Sequence, residues 1–278
     1  MEGKADLHMH SVHSDGTLTV ESLVRRAHAA GVRVMSLTDH DSVGGVDEAI
    51  TRGGALGVDV FPGVELSATT ADGREVHLLG YCFNHSNAHL LHHLDTRRSE
   101  RLGRAGRIVG RLHDLGIPLT LEAVLRQAGA GSVGRPHIAQ ALVAEGLTVS
   151  YHEAFQKYIG RGGPAFEERD QVSVADAVRL IADAGGLSFI AHPGDMEEER
   201  LQEVIAAGIS GIEVVHPSHT PERMMFYHGV VTRHGLLESG GSDFHAPSRN
   251  GSEALGKFWI PMERAGAIRE HAASITGR

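Results

Sequence analysis

The chain has 278 residues and a formal net charge of −9, the length of one large domain or of one domain carrying a small insertion. Apolar residues make up 41% and charged residues 22%, which sets the chain apart from disordered sequences and lets it bury a sizeable core. The acidic balance excludes broad charge-driven binding to duplex DNA but leaves room for a local basic pocket that takes a small phosphorylated ligand.

Read from the N-terminus, Met1 to Asp6 shows no basic leader before an apolar stretch. No apolar run approaches the ~20 residues that cross a bilayer, so a cytoplasmic protein without a membrane partner is expected. Short runs rich in β-branched residues predict strands at 5–10, 32–38, 58–66, 76–82, 187–192, 211–215 and 236–243. Amphipathic stretches between them predict helices at 20–30, 174–184, 197–207 and 221–234. Thr19 and Ser173 read as N-caps, and Gly31, Gly185 and Gly208 as stops.

This alternation argues for parallel βαβ units and a distorted (β/α)7 TIM-like barrel, one unit short of the eightfold form. A dinucleotide-binding fold is the rival, but no Gly-x-Gly-x-x-Gly follows the first strand. Between 99 and 170 the pattern turns helical, with helices expected at 99–115, 120–128, 136–145 and 150–158. We read 1–98 and 171–278 as the barrel and 99–170 as an inserted helical cap, of the kind that covers a barrel's active-site face.

The chain carries 20 histidines and a single cysteine, Cys82. That excludes an internal disulfide and a thiolate zinc cluster, and suggests a metal site of nitrogen and oxygen donors. His8 and His10 are two apart on the first strand and face one side together. Alone, such a pair is as readily two polar residues on an exposed face. The other strand ends change the balance: Thr38-Asp39-His40-Asp41, Glu65, Ala191-His192-Pro193 and Ser242-Asp243-Phe244-His245, with His77 on the fourth strand. In a parallel barrel these ends meet at one rim.

Together with Ser14-Asp15-Gly16, these runs resemble the motifs of the PHP (polymerase and histidinol phosphatase) family, amidohydrolase-group metallohydrolases with two or three divalent metals at the rim of a distorted (β/α)7 barrel. The resemblance spans residues 5 to about 245. It implies that His8, His10, Glu65 and Asp243 hold one metal, that Glu65 bridges to a second held by His77 and His192, and that Asp15, His40 and His245 hold a third. Manganese is expected first, with zinc or iron as alternatives.

Within the insertion, Pro136 suits the first turn of a helix and leaves backbone N–H groups free beside Arg135, a ready phosphate site. Lys157 and Arg161, four apart, share a face if the helix continues through Tyr158. The insertion resembles that of the PHP subgroup acting on nucleoside 3′,5′-bisphosphates. That likeness implies Arg135, Lys157 and Arg161, and less firmly Ser132 and His137, as contacts for the phosphate that does not react.

The expected reaction is hydrolysis of the 3′-phosphate by a hydroxide bridging the metals, with Asp243, His192 and His245 in the catalytic group. The alternatives are 5′-to-3′ trimming of short 5′-phosphorylated RNA, hydrolysis of another small monoester such as histidinol phosphate, and a non-catalytic module in a larger assembly. The remaining candidates read as structural. His216 and His219 follow the sixth strand and are weaker substrate contacts. His85, His89, His92 and His93 read as solvated. Arg97, Arg98, Arg101, Arg104, Arg107 and Arg111 form a basic helix face open to water, Cys82 is a small buried residue, and Phe258 and Trp259 pack the last barrel segment.

Overall fold

The computed structural model describes residues 3–129, 131–168, 172–247 and 254–277. The first half of the barrel is β1 (Lys4–Asp6), α1 (Val20–Ala29), β2 (Val32–Leu37), α2 (Val46–Leu56), β3 (Asp59–Thr69) and β4 (Glu75–Tyr81). Four helices follow: α3 (Ala88–Asp114), α4 (Leu121–Ala128), α5 (Arg135–Ala144) and the short α6 (Tyr151–Ala154), which runs into a π-helical turn at Phe155–Ile159. The barrel resumes with α7 (Val174–Asp183), β5 (Leu187–Ile190), α8 (Glu198–Ala206), β6 (Gly211–Val215), α9 (Pro221–His234), β7 (Leu237–Gly240), β8 (Ile260–Pro261) and α10 (Met262–Thr276). Thr19 and Ser173 cap α1 and α7 through their side chains, as expected.

The strands form one sheet in the order β7-β6-β5-β4-β3-β2-β1-β8. It curls until the segment after β1 meets the segment after β7. Leu7 N donates to Gly240 O at 3.1 Å, His10 N donates to Phe244 O at 2.9 Å, and Met9 bridges Phe244 in parallel. Gly241 makes this approach possible, because a Cβ there would lie 2.5 Å from the backbone nitrogen of His8. The result is a nearly closed, distorted (β/α)7 barrel, with β8 added antiparallel to β1.

One expectation fails in direction. β4 runs antiparallel to both β3 and β5, because β3 and β4 are joined by a tight turn in which Thr70 N donates to Arg74 O at 2.9 Å. So short a link cannot carry a parallel crossover. His77 therefore reaches the rim from the start of its strand rather than from its end.

The helices hold three further corrections. α3 is one helix of 27 residues, begun at Asn87, whose side chain accepts from Leu90 N, so the boundary expected at residue 99 falls inside it. Its first turns give Leu90 and Leu94 to the barrel core. From Ala105 onward it packs a separate core with α4 and α5 around Ile108, Leu112 and Ile138. The last helix of the 99–170 stretch ends in the π turn, and Gly160 is extended, so Arg161 lies beyond any helix shared with Lys157. α2 and α10 were not foreseen: Gly53 and Gly54 dilute the first pattern, and α10 has little amphipathy.

Trp259 is also less buried than expected. It stays 38% exposed, with the Lys4 ammonium 6.0 Å from its ring centre. Cys82 is half-buried, and burial pushes its thiol up to about 12. No described helix is long and apolar enough to cross a membrane.

Candidate metal centre

Glu65, on β3, stands at the centre of the rim and is 1% exposed. Its Oε2 lies 3.3 Å from His8 Nε2, 3.2 Å from His10 Nε2 and 3.1 Å from His40 Nδ1. Its Oε1 lies 2.7 Å from His77 Nδ1 and 3.1 Å from His192 Nε2. Asp243 adds a second carboxylate, its Oδ1 3.2 Å from both His8 Nε2 and His10 Nε2. Asp15 adds a third, with Oδ1 3.3 Å from His245 Nε2 and Oδ2 3.8 Å from His40 Nε2. The nine side chains expected to bind metal thus stand in one cluster.

The local chain is shaped to present them. His192 and Asp243 adopt the left-handed backbone region, with φ of +28° and +47°. That conformation costs a non-glycine residue roughly 1–2 kcal/mol. Asp41, beside His40, does the same at φ +48°. Asp39 faces away from the cluster and ties the His10–Asp15 loop to β2. It accepts from Ser11 N at 2.8 Å, Ser11 Oγ at 2.7 Å and Ser14 Oγ at 2.6 Å.

The electrostatics call for positive charge at this point. Burial alone would raise the Glu65 carboxyl, but His40, His77 and His8 together hold it well below the usual range. Burial opposes charge on His10, yet Asp243 and Glu65 lift it to about 10. His77 rises against burial to about 9 through Glu65. His40 goes the other way, pushed down to about 3 by burial, with His10 and His77 adding to the effect against Glu65 and Asp15.

The donors fit divalent cations in place of those protons. His40 Nδ1 and His77 Nδ1 are buried without a hydrogen-bond partner although a Glu65 oxygen is near each. The Nε2 atoms of His8 and His10 point at each other across 3.1 Å. Nitrogen and oxygen donors that converge on shared points are what a cation site requires. Four overlapping groups satisfy it: His8, His10 and Asp243; His8, Glu65 and His192; His40, Glu65 and His77; and His10, Asp15, His40 and His245.

The candidate phosphate contacts divide. Ser132, Arg135 and His137 line a cavity of about 150 Å3 whose wall also includes Asp15, His40 and His77. Ser132 Oγ is buried there without a partner, while His137 Nδ1 accepts from Gly134 N at 3.0 Å. Arg135 sits 6.0 and 5.6 Å from the ring centres of Phe155 and Phe166, with Glu75 3.5 Å away. Arg161 joins Arg135, Arg74 and Arg104 around an adjoining cavity of about 250 Å3. Lys157 lines neither cavity. It is 59% exposed and donates to Glu153 at 2.8 Å.

The basic helix corrects an expectation. Arg97, Arg101 and Arg104 are buried rather than solvated. Arg101 clamps Asp41 through Nε, at 2.8 Å, and Nη2, and Arg104 Nε donates to Glu167 O at 3.0 Å. Arg98, Arg107 and Arg111 are exposed as expected, the last two paired with Glu167.

His219 has both ring nitrogens committed inside the protein, one to Val214 O at 2.9 Å and one to Gly194 N at 3.1 Å. His216 is closer to the chemistry than its sequence suggests, its Nε2 3.3 Å from Asp243 Oδ2. Glu213 was missed entirely. It is fully buried 2.9 Å from His8 Nδ1, and the available signal was a lone acidic residue inside the apolar run Gly211-Ile212-Glu213-Val214-Val215.

Comparison with known proteins agrees with this geometry. A model of the PHP domain matches residues 6–112. The chain is 36% identical to a 3′,5′-nucleoside bisphosphate phosphatase of Chromobacterium violaceum over 89% of both chains. It is 34% identical to a 5′-3′ exoribonuclease of Haemophilus influenzae, over 89% of this chain and 92% of that one. It is 32% identical to a phosphoribosyl 1,2-cyclic phosphate 1,2-diphosphodiesterase of Eggerthella lenta, over 86% and 93%. Among solved structures, a Bifidobacterium adolescentis protein superposes with a TM-score of 0.88 at 31% identity, over 100% of this chain and 99% of that one.

Proposed function

Because the chain belongs to the PHP family of metal-dependent phosphoesterases, we propose that its substrate is a nucleoside 3′,5′-bisphosphate, from which it removes the 3′-phosphate. The observation that carries this reading is the placement of Arg135. Its guanidinium shares a cavity with His40 and His77, so a ligand whose one phosphate lies at the metal centre meets a second cation a short distance away. A bisphosphate has a use for both, and a simple monoester has not. The bisphosphate phosphatase activity of the Chromobacterium violaceum relative supports the same choice.

The roles follow from the side chains. His8, His10, Asp15, His40, Glu65, His77, His192, Asp243 and His245 hold two or three divalent ions, manganese first among the candidates. Bound there, such ions acidify water and neutralise phosphoryl oxygens. Arg135 and Arg161 hold the distal 5′-phosphate, Ser132 offers its unpartnered hydroxyl to it, and His137 fixes the start of α5. His192 and His245 are the ligand imidazoles most open to solvent, at 27% and 35%, but His245 spends Nδ1 on Asp243 O at 2.9 Å, so proton exchange with the departing sugar oxygen falls to His192. Asp243 holds the rings of His8 and His10 in place. The helical segment that packs its own core from Ala105 onward forms the cap that supplies the distal contacts.

The test is phosphate release from a panel of nucleotides with added manganese. A 3′,5′-bisphosphate should exceed the matching 3′-monophosphate in kcat/KM by at least about tenfold, the worth of one charge-assisted contact. Equal efficiency would remove Arg135 from the argument.

A second reading has its own observation. A separate cavity of about 490 Å3 opens beside His77 and His192, lined by Arg74, Met196 and Arg200. A bisphosphate does not need it, but a further nucleotide of a short 5′-phosphorylated RNA would. The exoribonuclease relative favours that use, and release of mononucleotides from a short 5′-phosphorylated oligoribonucleotide tests it. Histidinol phosphate has no second phosphate for Arg135 and fits the cap less well.

A further inference from the structure

β6 gives no donor to any of the four metal-binding groups, yet it lies between β5 and β7 in the sheet. We propose that Glu213 and His216, both on or just after β6, are the positioning residues that aim His8, His192 and Asp243 at the metals.

Glu213 uses both carboxylate oxygens. Oε1 is 2.9 Å from His8 Nδ1, and Oε2 accepts the backbone N–H of His192 at 2.7 Å. A carboxylate beside Nδ1 keeps the imidazole proton on that nitrogen and leaves the lone pair on Nε2. His8 Nε2 is the atom that faces Glu65 and Asp243. The second oxygen anchors the peptide of His192, whose φ of +28° no side chain adopts without restraint. One buried carboxylate thus sets the tautomer of one ligand and the backbone of another.

His216 acts on the other neighbour. Its Nδ1 accepts from Ser218 N at 3.1 Å, so the ring proton sits on Nε2, 3.3 Å from Asp243 Oδ2. That contact occupies the outer oxygen of Asp243 and turns Oδ1 toward His8 and His10. Sheet order explains the division of labour. Ile190 pairs with Ile212, and Glu213 with Ser239, so residues at the end of β6 reach the segments that follow β5 and β7. His8 comes within range because the chain after β7 closes on β1.

This inference concerns how the metals are held and is independent of which phosphate ester is hydrolysed. The test is manganese affinity of the intact protein, measured by competition with a chelator. Glu213→Gln keeps the shape but replaces one acceptor oxygen with an amide that meets an N–H, and should weaken manganese binding by about 10–100-fold. His216→Ala should also weaken it, and His216→Gln, whose amide N–H can replace Nε2–H, should restore most of the loss. Val204→Ala, a buried apolar truncation on α8, a helix that gives no donor to the four metal-binding groups, should lower the unfolding midpoint without moving manganese affinity. Wild-type affinity in Glu213→Gln would overturn the proposal, as would an equal loss in Val204→Ala or no difference between His216→Ala and His216→Gln.

Discussion

The two ends of the metal centre are built differently. At the β6 end, His8 is fully buried, and Glu213 and His216 brace His8, His192 and Asp243. At the other end, Asp15, His40 and His245 are 10%, 17% and 35% exposed, and their support is mostly backbone and loop. Thr17 N donates to His245 O at 2.8 Å, Asp39 pins the loop before Asp15, and Arg101 holds Asp41 next to His40. The contrast separates donors braced by buried side chains from donors held by loop backbone beside the cavity that Arg135 lines. A metal at the first should exchange slowly, and a metal at the second more readily.

The largest effect belongs to the β6 end. Asp243→Ala or His8→Ala removes a donor that faces two others, and phosphate release should fall by about 10³-fold or more. Excess manganese should not restore it. Near-native turnover with normal metal content would erase the distinction between the ends.

Next comes the link between cap and rim. Arg101 and Asp41 form a buried ion pair, 8% and 2% exposed. Arg101→Ala leaves the Asp41 carboxylate without that partner and should cost about 3–5 kcal/mol in urea unfolding. Arg101→Ala with Asp41→Asn should recover part of that loss. A cost below about 1 kcal/mol would mean that the loop-held end does not depend on α3.

His245→Ala should give a milder defect than any change at His8. Activity at limiting manganese should drop by about 10–100-fold and return at millimolar manganese. Failure to recover would place His245 in the chemistry rather than in metal retention, and the two ends would then be alike.

These contrasts mark how far the sequence could be read. That the strand-end histidines and carboxylates gather in one place was legible because they recur where apolar runs stop and a barrel brings such positions to one rim; Asp15 came only from the family resemblance. The direction of β4 was not, since an apolar run has the same composition whichever way it points, and only the short turn at Thr70–Arg74 decides. Arg97, Arg101 and Arg104 of α3 were misjudged because charge on a helix ordinarily marks water, whereas the Asp41 that holds Arg101 lies far away in sequence. Glu213 escaped because one acidic residue in a strand carries no periodicity, and its partners lie after β1 and after β5.

The smallest effects fall in the cap and decide which of its cations serve the substrate. Arg135→Ala should raise KM for the 3′,5′-bisphosphate by about 10–100-fold, the worth of a charge-assisted hydrogen bond, and leave the 3′-monophosphate unchanged. Lys157→Ala should do neither. Its ammonium is exposed and spent on Glu153, four residues earlier, and a pair of that kind contributes under about 1 kcal/mol. The sequence grouped Arg135 and Lys157 together, and the fold separates them, since the helix ends at Ile159 before it can turn Lys157 toward Arg161. Steady-state kinetics on both variants with both substrates reads the difference directly. A rise in KM for Lys157→Ala equal to that for Arg135→Ala would mean that the cap closes over its ligand, carrying Lys157 from Glu153 to the phosphate.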